Sequence, residues 1–273
     1  MRRLLALLIA LSFAGCSFNP ERETQQLCPS CEIVRLAVAT PTPALGYLHN
    51  LGASPDNPFL HVYLEGDGQP WLRGRWPATN PSSREMTVLQ LMLLDPHPSL
   101  YLNRPCYGYR QMPENCVSTL WTDGRYSAEV VATMATALKE MGQKYPGKRL
   151  VLIGHSGGGT LAMLVAQRLE NVAAVVTLAA NLDHRAWTDT HGYLPLTPSL
   201  NPAEQPLLPE SVIRWHLAAG KDLQVPARIT EEVAGRDPAA RFSHYPDFDH
   251  TCCWQRIWPE LLQTLQHQLT GTK

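Results

Sequence analysis

The chain has 273 residues, and its 23 basic and 24 acidic side chains give a formal net charge of −1. A charge near zero without a long basic run predicts neither a nucleic-acid partner nor an electrostatic footprint for an anionic membrane. Hydrophobic residues make up 44% of the chain, which is ordinary for a globular protein and enough for one domain with a two-sided core.

The N-terminus has the pattern of a bacterial export signal. A basic start, Met1–Arg3, precedes the apolar run Leu4–Phe13, which is well short of the roughly 20 residues that a spanning helix needs. The next residues, Phe13–Cys16, resemble a lipobox, in which the cysteine is lipidated and becomes the mature N-terminus. A plain signal peptide cut near this point is the alternative. Ser17 is compatible with sorting to an outer membrane, so we expect a lipid-anchored protein of the bacterial cell envelope, on the periplasmic face of that membrane.

These features divide the chain into three parts. We expect a signal peptide with its lipobox over residues 1–16, a polar tether over 17–27 and one domain over 28–273. Cysteine use fits export, because six of the seven cysteines fall into close pairs and Cys16 is left alone.

Within the domain, apolar runs typical of strands alternate with segments of helical periodicity. The strongest helix prediction is Ser127–Lys144, because Ser127 can cap its start and Pro146 follows its end. The alternation predicts an α/β fold with a mostly parallel, doubly wound sheet and helices on both faces. The segment Asn181–Glu210 is too short for a large cap, so we expect a small cap or none. The predicted strands are 59–64, 149–153, 173–178, 212–218 and 241–245, and the other predicted helices are 84–94 and 160–169.

Residues Gly154–Gly158 read Gly-His-Ser-Gly-Gly, a match to the pattern Gly-x-Ser-x-Gly. The motif follows a predicted buried strand and opens a predicted helix, which is the strand–turn–helix context of a nucleophile elbow. Gly154 and Gly157 let the backbone crowd together while Ser156 takes a strained conformation. We therefore predict that Ser156 is a nucleophile at a helix start, where negative charge is favoured. A purely structural glycine-rich helix entry is the alternative.

A serine hydroxyl is a poor nucleophile without a base, so a histidine is needed. The chain order Ser, acid, His restricts the search to residues after Ser156. His250 lies in a loop after the last predicted strand, where the chain returns over the carboxyl edge of the sheet, and it is the predicted base. The other histidines after Ser156 are His184, His191, His216, His244 and His267. His184 and His244 are weaker alternatives. His216 is expected to pack within a strand, and His267 to lie on the surface of the last helix.

The acid should orient the histidine and stabilise its charged form. Asp222 directly follows the predicted strand 212–218 and precedes a helix start, and it is the predicted acid. Asp183, after the preceding strand, and Asp249, beside the histidine, are alternatives. An aspartate at such a place can also be a turn former or a helix cap.

An oxyanion hole requires two backbone donors. One should be the amide of Gly157, the residue after the nucleophile, and the other should come from the loop after an early strand. The loop Glu65–Gly68 is in that place, and the pattern assigns the second amide to Asp67. Because a carboxylate beside an oxyanion would oppose its charge, we expect the side chains of Glu65 and Asp67 to point away. An ordinary glycine-containing loop is the alternative.

With these segments placed, the chain resembles the α/β-hydrolase superfamily from about Phe59 to the C-terminus. The resemblance rests on the elbow, on Gly-x-Asp-x-x-Val-Pro over 220–226 and on the late pair Asp249 and His250. It implies the α/β-hydrolase fold, an ordered triad of serine, aspartate and histidine, and no cofactor or metal. The segments 104–106 and 250–254 are further similar to small exported proteobacterial hydrolases, which are often lipoproteins with unassigned substrates.

In such an exported hydrolase, we expect Cys106 and Cys116 to form a disulfide that pins the loop after the strand near Leu100. Cys28 and Cys31 could close a small ring. Three alternatives stay open for Cys252 and Cys253: a bridge to each other, free thiols, or partners elsewhere in the chain.

These residues predict a serine hydrolase that cleaves a carboxylic ester of a small molecule or lipid through an acyl-enzyme. A peptidase, a thioesterase and an acyltransferase would use the same triad, because the leaving group is chosen by the pocket. A catalytically silent envelope-binding module is the alternative from another class. The acyl group, the alcohol and the oligomeric state are left open.

Overall fold

The structure, a computed structural model, describes residues 18–36, 44–52 and 56–271. The predicted signal peptide and Cys16 lie outside these residues. The described helices are α1 Pro20–Leu27, α2 Thr87–Met92, α3 Ala128–Lys144, α4 Gly157–Ala166, α5 His184–His191, α6 Ala227–Ala234 and α7 Trp254–Thr270. The described strands are β1 Glu32–Leu36, β2 Ala44–His49, β3 Phe59–Leu64, β4 Trp71–Leu72, β5 Trp76–Pro77, β6 Ser99–Leu102, β7 Arg149–His155, β8 Val172–Leu178, β9 Ile213–Ala219 and β10 Ala240–Tyr245.

Eight strands form one sheet in the order β1-β2-β6-β3-β7-β8-β9-β10. In this order, every neighbouring pair from β6 through β3, β7, β8 and β9 to β10 is parallel. The pairs β1 with β2 and β2 with β6 are antiparallel. This arrangement confirms the predicted α/β fold with a mostly parallel sheet. The strands β4 and β5 form a separate two-stranded hairpin.

The sheet has a hydrophobic core on each face, as a doubly wound sheet requires. Strand β3 is buried along its whole length, and its side chains alternate between the two cores. Leu60 and Leu64 pack with α3 and α4 on one face, and Tyr63 packs with α2 and α7 on the other. None of the helices in the described ranges is long and apolar enough to cross a membrane.

The carboxyl ends of the parallel strands bring distant segments to one edge of the sheet. Strand β3 ends directly before the loop Glu65–Gly68, and β7 ends at His155, next to Ser156. Strand β9 ends at Ala219, three residues before Asp222, and β10 precedes the loop that carries His250. This edge therefore holds every predicted site residue of the domain.

The segment predicted to be a tether contains a helix instead. Asn19 caps α1 by accepting a hydrogen bond from the amide of Arg22, and Pro20 occupies the first helical turn. Thr24 is buried, and its hydroxyl contacts the sulfur of Met86. A polar composition alone suggested a tether, but the capping pattern favours a helix that packs on the domain.

The elbow helix differs from its prediction in where it starts, and the cysteines pair within the expected possibilities. Helix α4 begins at Gly157, not at the expected Thr160, because the three glycines form its first turn. The expected disulfide between Cys106 and Cys116 is present. The structure also pairs Cys28 with Cys31 and Cys252 with Cys253.

Candidate active site

Ser156 lies at the sharp turn between β7 and α4. Its backbone has φ 53° and ψ −125°, a conformation that non-glycine residues rarely adopt. The Ser156 amide donates to the carbonyl of Leu178 at the end of β8, with 2.9 Å between nitrogen and oxygen. The turn therefore holds a strained serine at the carboxyl edge of the sheet, as a nucleophile elbow does.

Glycines make this turn possible. A Cβ on Gly154 would overlap the backbone of Gly158, and a Cβ on Gly158 would overlap the carbonyl oxygen of Leu64. The start of α4 therefore approaches the end of β3 more closely than any side chain would permit. This approach brings the loop after β3 to the serine: a Cβ on Gly66 would be 3.3 Å from Cβ of Ser156.

The predicted acid and base are hydrogen-bonded to each other. Oδ2 of Asp222 lies 2.7 Å from Nδ1 of His250, and both residues are buried. The other carboxylate oxygen of Asp222 accepts the amides of Gln224 and Val225, each at 2.8 Å. Because these amides fix the carboxylate, it can hold the imidazole with Nδ1 occupied and Nε2 available.

The alternative acids have other roles. Asp183 caps α5 by accepting the amides of Arg185 and Ala186. Asp249 is exposed and accepts the amides of Thr251 and Cys252 in a turn.

The other histidines that follow Ser156 have other positions. Nε2 of His191 lies 3.0 Å from the carbonyl oxygen of Gln224. His184 is buried at the start of α5, and His216 is buried in β9 with Nδ1 2.8 Å from the hydroxyl of Thr177. His244 and His267 are exposed. Among the histidines of the described residues, His155 and His250 line the cavity that contains Ser156.

His155, the variable residue of the motif, is a site residue that the sequence reasoning missed. Its Nε2 lies 2.6 Å from the carbonyl oxygen of His250, which also accepts from Nε1 of Trp254 at 3.2 Å. Burial, with a smaller contribution from His250, lowers the pKa of His155 to about 3. His155 is therefore neutral at physiological pH and donates one hydrogen bond that fixes the backbone of His250.

The predicted oxyanion residues meet at the start of α4. The Gly157 amide belongs to the first turn of the helix, whose N–H groups have no partner within the helix. The loop of Asp67 is held from behind: the hydroxyl of Tyr107 donates to the Asp67 carbonyl at 3.0 Å, and Nη2 of Arg104 donates to the Glu65 carbonyl at 3.1 Å. Two buried side chains therefore fix the backbone of this loop.

The Asp67 side chain does not point away from the site, and this part of the prediction was wrong. The carboxylate lies against Gly157, in the space that a Cβ there would occupy. It accepts from Arg104 at 2.9 Å, Arg125 at 2.8 Å and the hydroxyl of Tyr126 at 2.7 Å. Burial alone would raise the pKa of Asp67, but Arg125 and Arg104 outweigh it and lower that pKa to about 2. The carboxylate is tolerated there because two cations compensate its charge.

Glu65 does turn away, into the protein interior. Its carboxylate accepts the amides of Gly66 at 3.2 Å and Val88 at 3.3 Å. Burial raises the pKa of Glu65 to about 7, against the lowering effect of those two hydrogen bonds. Glu65 thus lies under the loop as a group that ionises near neutral pH.

A cavity of about 1030 Å³ opens over these groups. Ser156 and His250 line it together with Asp67. Residues 68–71, 74–75 and 192–196 also line it. The cavity has the size of a site for a small molecule.

Two residue groups with metal-ligand chemistry occur elsewhere in the described chain. One is Cys28, Cys31 and His49, in which the two cysteines form a disulfide. The other is His61, Asp95 and His97, in which Nδ1 of His61 and Nδ1 of His97 contact the Asp95 carboxylate at 2.6 and 2.8 Å. Neither group lines the cavity of Ser156.

The family model of the alpha/beta hydrolase family matches residues 59–272. The chain belongs to the α/β-hydrolase family. The match extends from the start of β3 past the end of α7, and so includes the elbow, the Asp222–His250 pair and the loop after β3. No curated protein matches the sequence of this α/β hydrolase.

Solved α/β-hydrolase structures share the fold at low sequence identity. An esterase from Pyrococcus furiosus is 13% identical with a TM-score of 0.61, over 90% of this chain and 92% of the esterase. An acylaminoacyl peptidase from Pyrococcus horikoshii is 12% identical with a TM-score of 0.58, over 87% of this chain and 41% of the peptidase. A serine hydrolase without a lid from Xanthomonas campestris is 14% identical with a TM-score of 0.53, over 88% and 94% of the two chains. At these identities the likeness establishes the fold alone.

Proposed function

We propose that this α/β hydrolase is a serine hydrolase that cleaves carboxylic esters, with Ser156 as nucleophile, His250 as base and Asp222 as the acid that orients it. The observation that carries the proposal is the 2.7 Å contact between Asp222 and His250 at the cavity that holds the strained Ser156. Esterases among the solved structures of the same fold agree with this choice.

The first half of the reaction forms an acyl-enzyme. Oγ of Ser156 attacks the ester carbonyl and its proton passes to Nε2 of His250, because Nδ1 is engaged by Asp222. The His250 imidazolium then protonates the alkoxide, and the alcohol leaves. In the second half, water attacks the acyl group, His250 takes its proton, and the carboxylic acid leaves as Ser156 regains its hydrogen.

The oxyanion would be bound by the amides of Gly157 and Asp67. Gly157 begins α4, so its amide carries the partial positive charge of the helix N-terminus. The contacts of Arg104 and Tyr107 with the loop backbone hold the second amide in place before substrate binds. Preorganisation of this kind is generally the largest electrostatic contribution to acyl transfer.

The proposal includes the export of the protein and its attachment to a membrane. The apolar run Leu4–Phe13 and the lipobox-like residues Phe13–Cys16 support lipidation at Cys16, on the periplasmic face of an outer membrane. Disulfide-forming cysteine pairs suit an oxidising compartment. Metabolic labelling with a fatty-acid analogue tests this point, because a Cys16→Ser chain should lose the label.

Fluorophosphonate labelling followed by peptide mapping tests the reaction. We expect an adduct on Ser156 that is lost in Ser156→Ala and reduced at least about 10³-fold in rate in His250→Ala. Ser83→Ala is the matched control, because Ser83 is a second serine of the same cavity and should label normally. A folded protein that labels equally well without His250 would exclude the proposed triad.

A substrate panel separates the ester hydrolase from its alternatives. Esters, thioesters and aminoacyl amides of the same acyl group should be tested on the wild type and on Ser156→Ala. We expect the highest kcat/KM for the esters. Preference for the amides would favour a peptidase, and no turnover with no labelling would favour a silent binding module.

A further inference from the structure

A hairpin of unusual composition stands beside the cavity. The segment Trp71–Pro77 reads Trp-Leu-Arg-Gly-Arg-Trp-Pro, and all seven residues are exposed. It pairs β4 with β5 around a tight turn, in which Arg73 and Gly74 have positive φ and the Arg75 amide donates to the carbonyl of Leu72. The turn chemistry gives a defined loop that presents tryptophan, leucine and arginine side chains to solvent.

The apolar surface continues around the cavity. In the hairpin, Trp76 is 64% exposed and Leu72 48%. In the segment that lines another part of the cavity, Leu194 is 87% exposed beside the half-exposed Tyr193. Leu223, between Asp222 and the cavity residue Gln224, is 85% exposed. We name these five side chains, Leu72, Trp76, Tyr193, Leu194 and Leu223, the apolar rim. Tyr193 and Leu194 line the cavity, and each of the other three is adjacent in sequence to a residue that lines it. Exposed apolar groups around one opening mark an interaction surface.

The charge near the hairpin is positive, although the chain as a whole is nearly neutral. Arg73 and Arg75 are in the hairpin, and Arg84 is an exposed residue of the cavity. Glu85 is the exposed acid next to them. No acidic residue lies between Arg73 and Arg84 in the sequence. Tryptophan and arginine together suit the boundary between water and the headgroups of an anionic bilayer.

The described chain also begins at this surface. The guanidinium carbon of Arg84 lies 4.7 Å from the ring centre of Phe18. Only Ser17 lies between Cys16 and Phe18, and these two residue steps span about 7 Å at most. A lipid attached to Cys16 would therefore enter its membrane close to the cavity opening. Anchor and rim would engage the same bilayer.

From these observations we infer that the apolar rim and its arginines dock the cavity on a bilayer containing anionic phospholipid, which supplies the acyl ester that the site cleaves. The hairpin follows directly on the loop of Asp67, so a headgroup bound at the hairpin lies close to the reacting carbonyl. The inference rests on the proposed ester hydrolysis for its chemistry, but the docking itself does not require Ser156.

Vesicle co-sedimentation tests the docking in residues 17–273, the expected mature chain without its lipidated Cys16, which contain every described element of the fold. We expect binding to vesicles of phosphatidylglycerol and phosphatidylcholine, and about tenfold weaker binding to phosphatidylcholine alone. Two variants test the surface, and we call them the rim variants: the double substitution Leu72→Ser with Trp76→Ser, and the single substitution Arg73→Glu beside the rim. None of these three residues lines the cavity, so hydrolysis of a water-soluble nitrophenyl ester should be unchanged.

Leu207→Ser provides a matched control. Leu207 is 57% exposed. The carbonyl of its neighbour Pro206 accepts a hydrogen bond from Gln167, which lies at the end of α4 that is distant from Ser156 and hence from the rim. We expect the rim variants to lower vesicle binding at least about tenfold, with release of fatty acid from the vesicles falling in parallel, and Leu207→Ser to change neither. Ser156→Ala should bind vesicles as the wild type does.

Several results would overturn the inference. One is vesicle binding that is absent, or equal in the rim variants and the wild type. Another is a dimer that depends on Trp76 without vesicle binding, which would assign the rim to a second copy of the chain. A third is turnover of the soluble ester with no fatty acid released from bound vesicles. Binding without turnover of any ester would instead overturn the proposed hydrolase, and with it the source of the substrate.

Discussion

The carboxylate of Asp67 fills the space that Gly157 leaves by having no side chain. A Cβ on Gly157 would overlap Oδ1 of Asp67 and lie 2.6 Å from the hydroxyl of Tyr126. The two residues that would supply the oxyanion amides are thus in direct contact. Because Asp67 is also fixed by two arginines, neither partner can move to admit a methyl group.

Gly157→Ala should therefore impair catalysis by displacing the loop of Asp67. We expect kcat to fall about 10²–10³-fold, the loss typical of one missing oxyanion donor, with a smaller change in KM. Gly142→Ala is the matched control, because Gly142 lies inside α3 with its nearest neighbour, Nδ2 of Asn171, 3.8 Å from the added Cβ. Its activity should stay within about twofold of the wild type. Normal kcat in Gly157→Ala would show that the contact with Asp67 is unimportant for catalysis.

Asp222→Asn should disable the base without disturbing the fold. The asparagine oxygen can still accept the amides of Gln224 and Val225, but its NH2 group would face Nδ1 of His250. His250 would then carry its proton on Nε2 and could not accept one from Ser156. We expect kcat to fall about 10⁴-fold with little change in melting temperature.

Asp249→Asn is the control for this prediction, because Asp249 is exposed and adjacent to His250 in sequence. Its activity should remain within about twofold of the wild type. A loss in Asp249→Asn with normal activity in Asp222→Asn would reverse the assignment of the acid.

Sequence order was sufficient to predict the parallel sheet, the elbow and the Asp222–His250 pair, because each depends on local pattern and on which strand end it follows. The sequence did not reveal the contacts that support them. His155 is 95 residues from His250, and Arg125 is 58 residues from Asp67. Such pairs depend on how helices and loops pack, which periodicity does not encode. The tether prediction failed for a local reason, since a polar segment with a capped start can still be a helix.

Arg104 is predicted to be a positioning residue for the oxyanion loop. Its guanidinium binds both the Asp67 carboxylate and the Glu65 carbonyl, a two-point contact that a lysine ammonium cannot reproduce. Arg104→Lys should lower kcat about 10–100-fold while KM and the pH profile of the His250 step change little. Arg125→Lys is the comparison, because Arg125 binds the Asp67 carboxylate without contacting the backbone of the loop.

We expect the effect of Arg125→Lys on kcat to be several-fold smaller than that of Arg104→Lys. Equal effects would mean that kcat depends on neutralising the charge of Asp67 and not on the hydrogen bond from Arg104 to the loop backbone. A shift of the pH profile in Arg104→Lys would point to an effect on His250 instead.

Glu65 should make the stability of the protein depend on pH around neutrality. Its pKa is raised from 4.5 to about 7 by burial, so between these values the folded state binds more protons than the unfolded state. The contribution of Glu65 to the free energy of unfolding is therefore highest below about pH 4.5, and it falls by about 1–3 kcal/mol as the pH rises to 7. His155, with its lowered pKa, contributes in the opposite direction, so the effect of Glu65 must be measured as a difference between variants.

Urea unfolding of the wild type and Glu65→Gln at pH 5 and pH 8 makes that measurement, with the His155 contribution common to both. The wild type should lose about 1–3 kcal/mol more than Glu65→Gln between the two pH values, because glutamine does not ionise. Glu170→Gln is the control, since Glu170 is exposed and its removal should leave the difference unchanged. If Glu65→Gln shows the same change with pH as the wild type, the carboxyl group under the oxyanion loop does not titrate in this range. The loop would then carry the same charge beneath it at pH 5 and at pH 8.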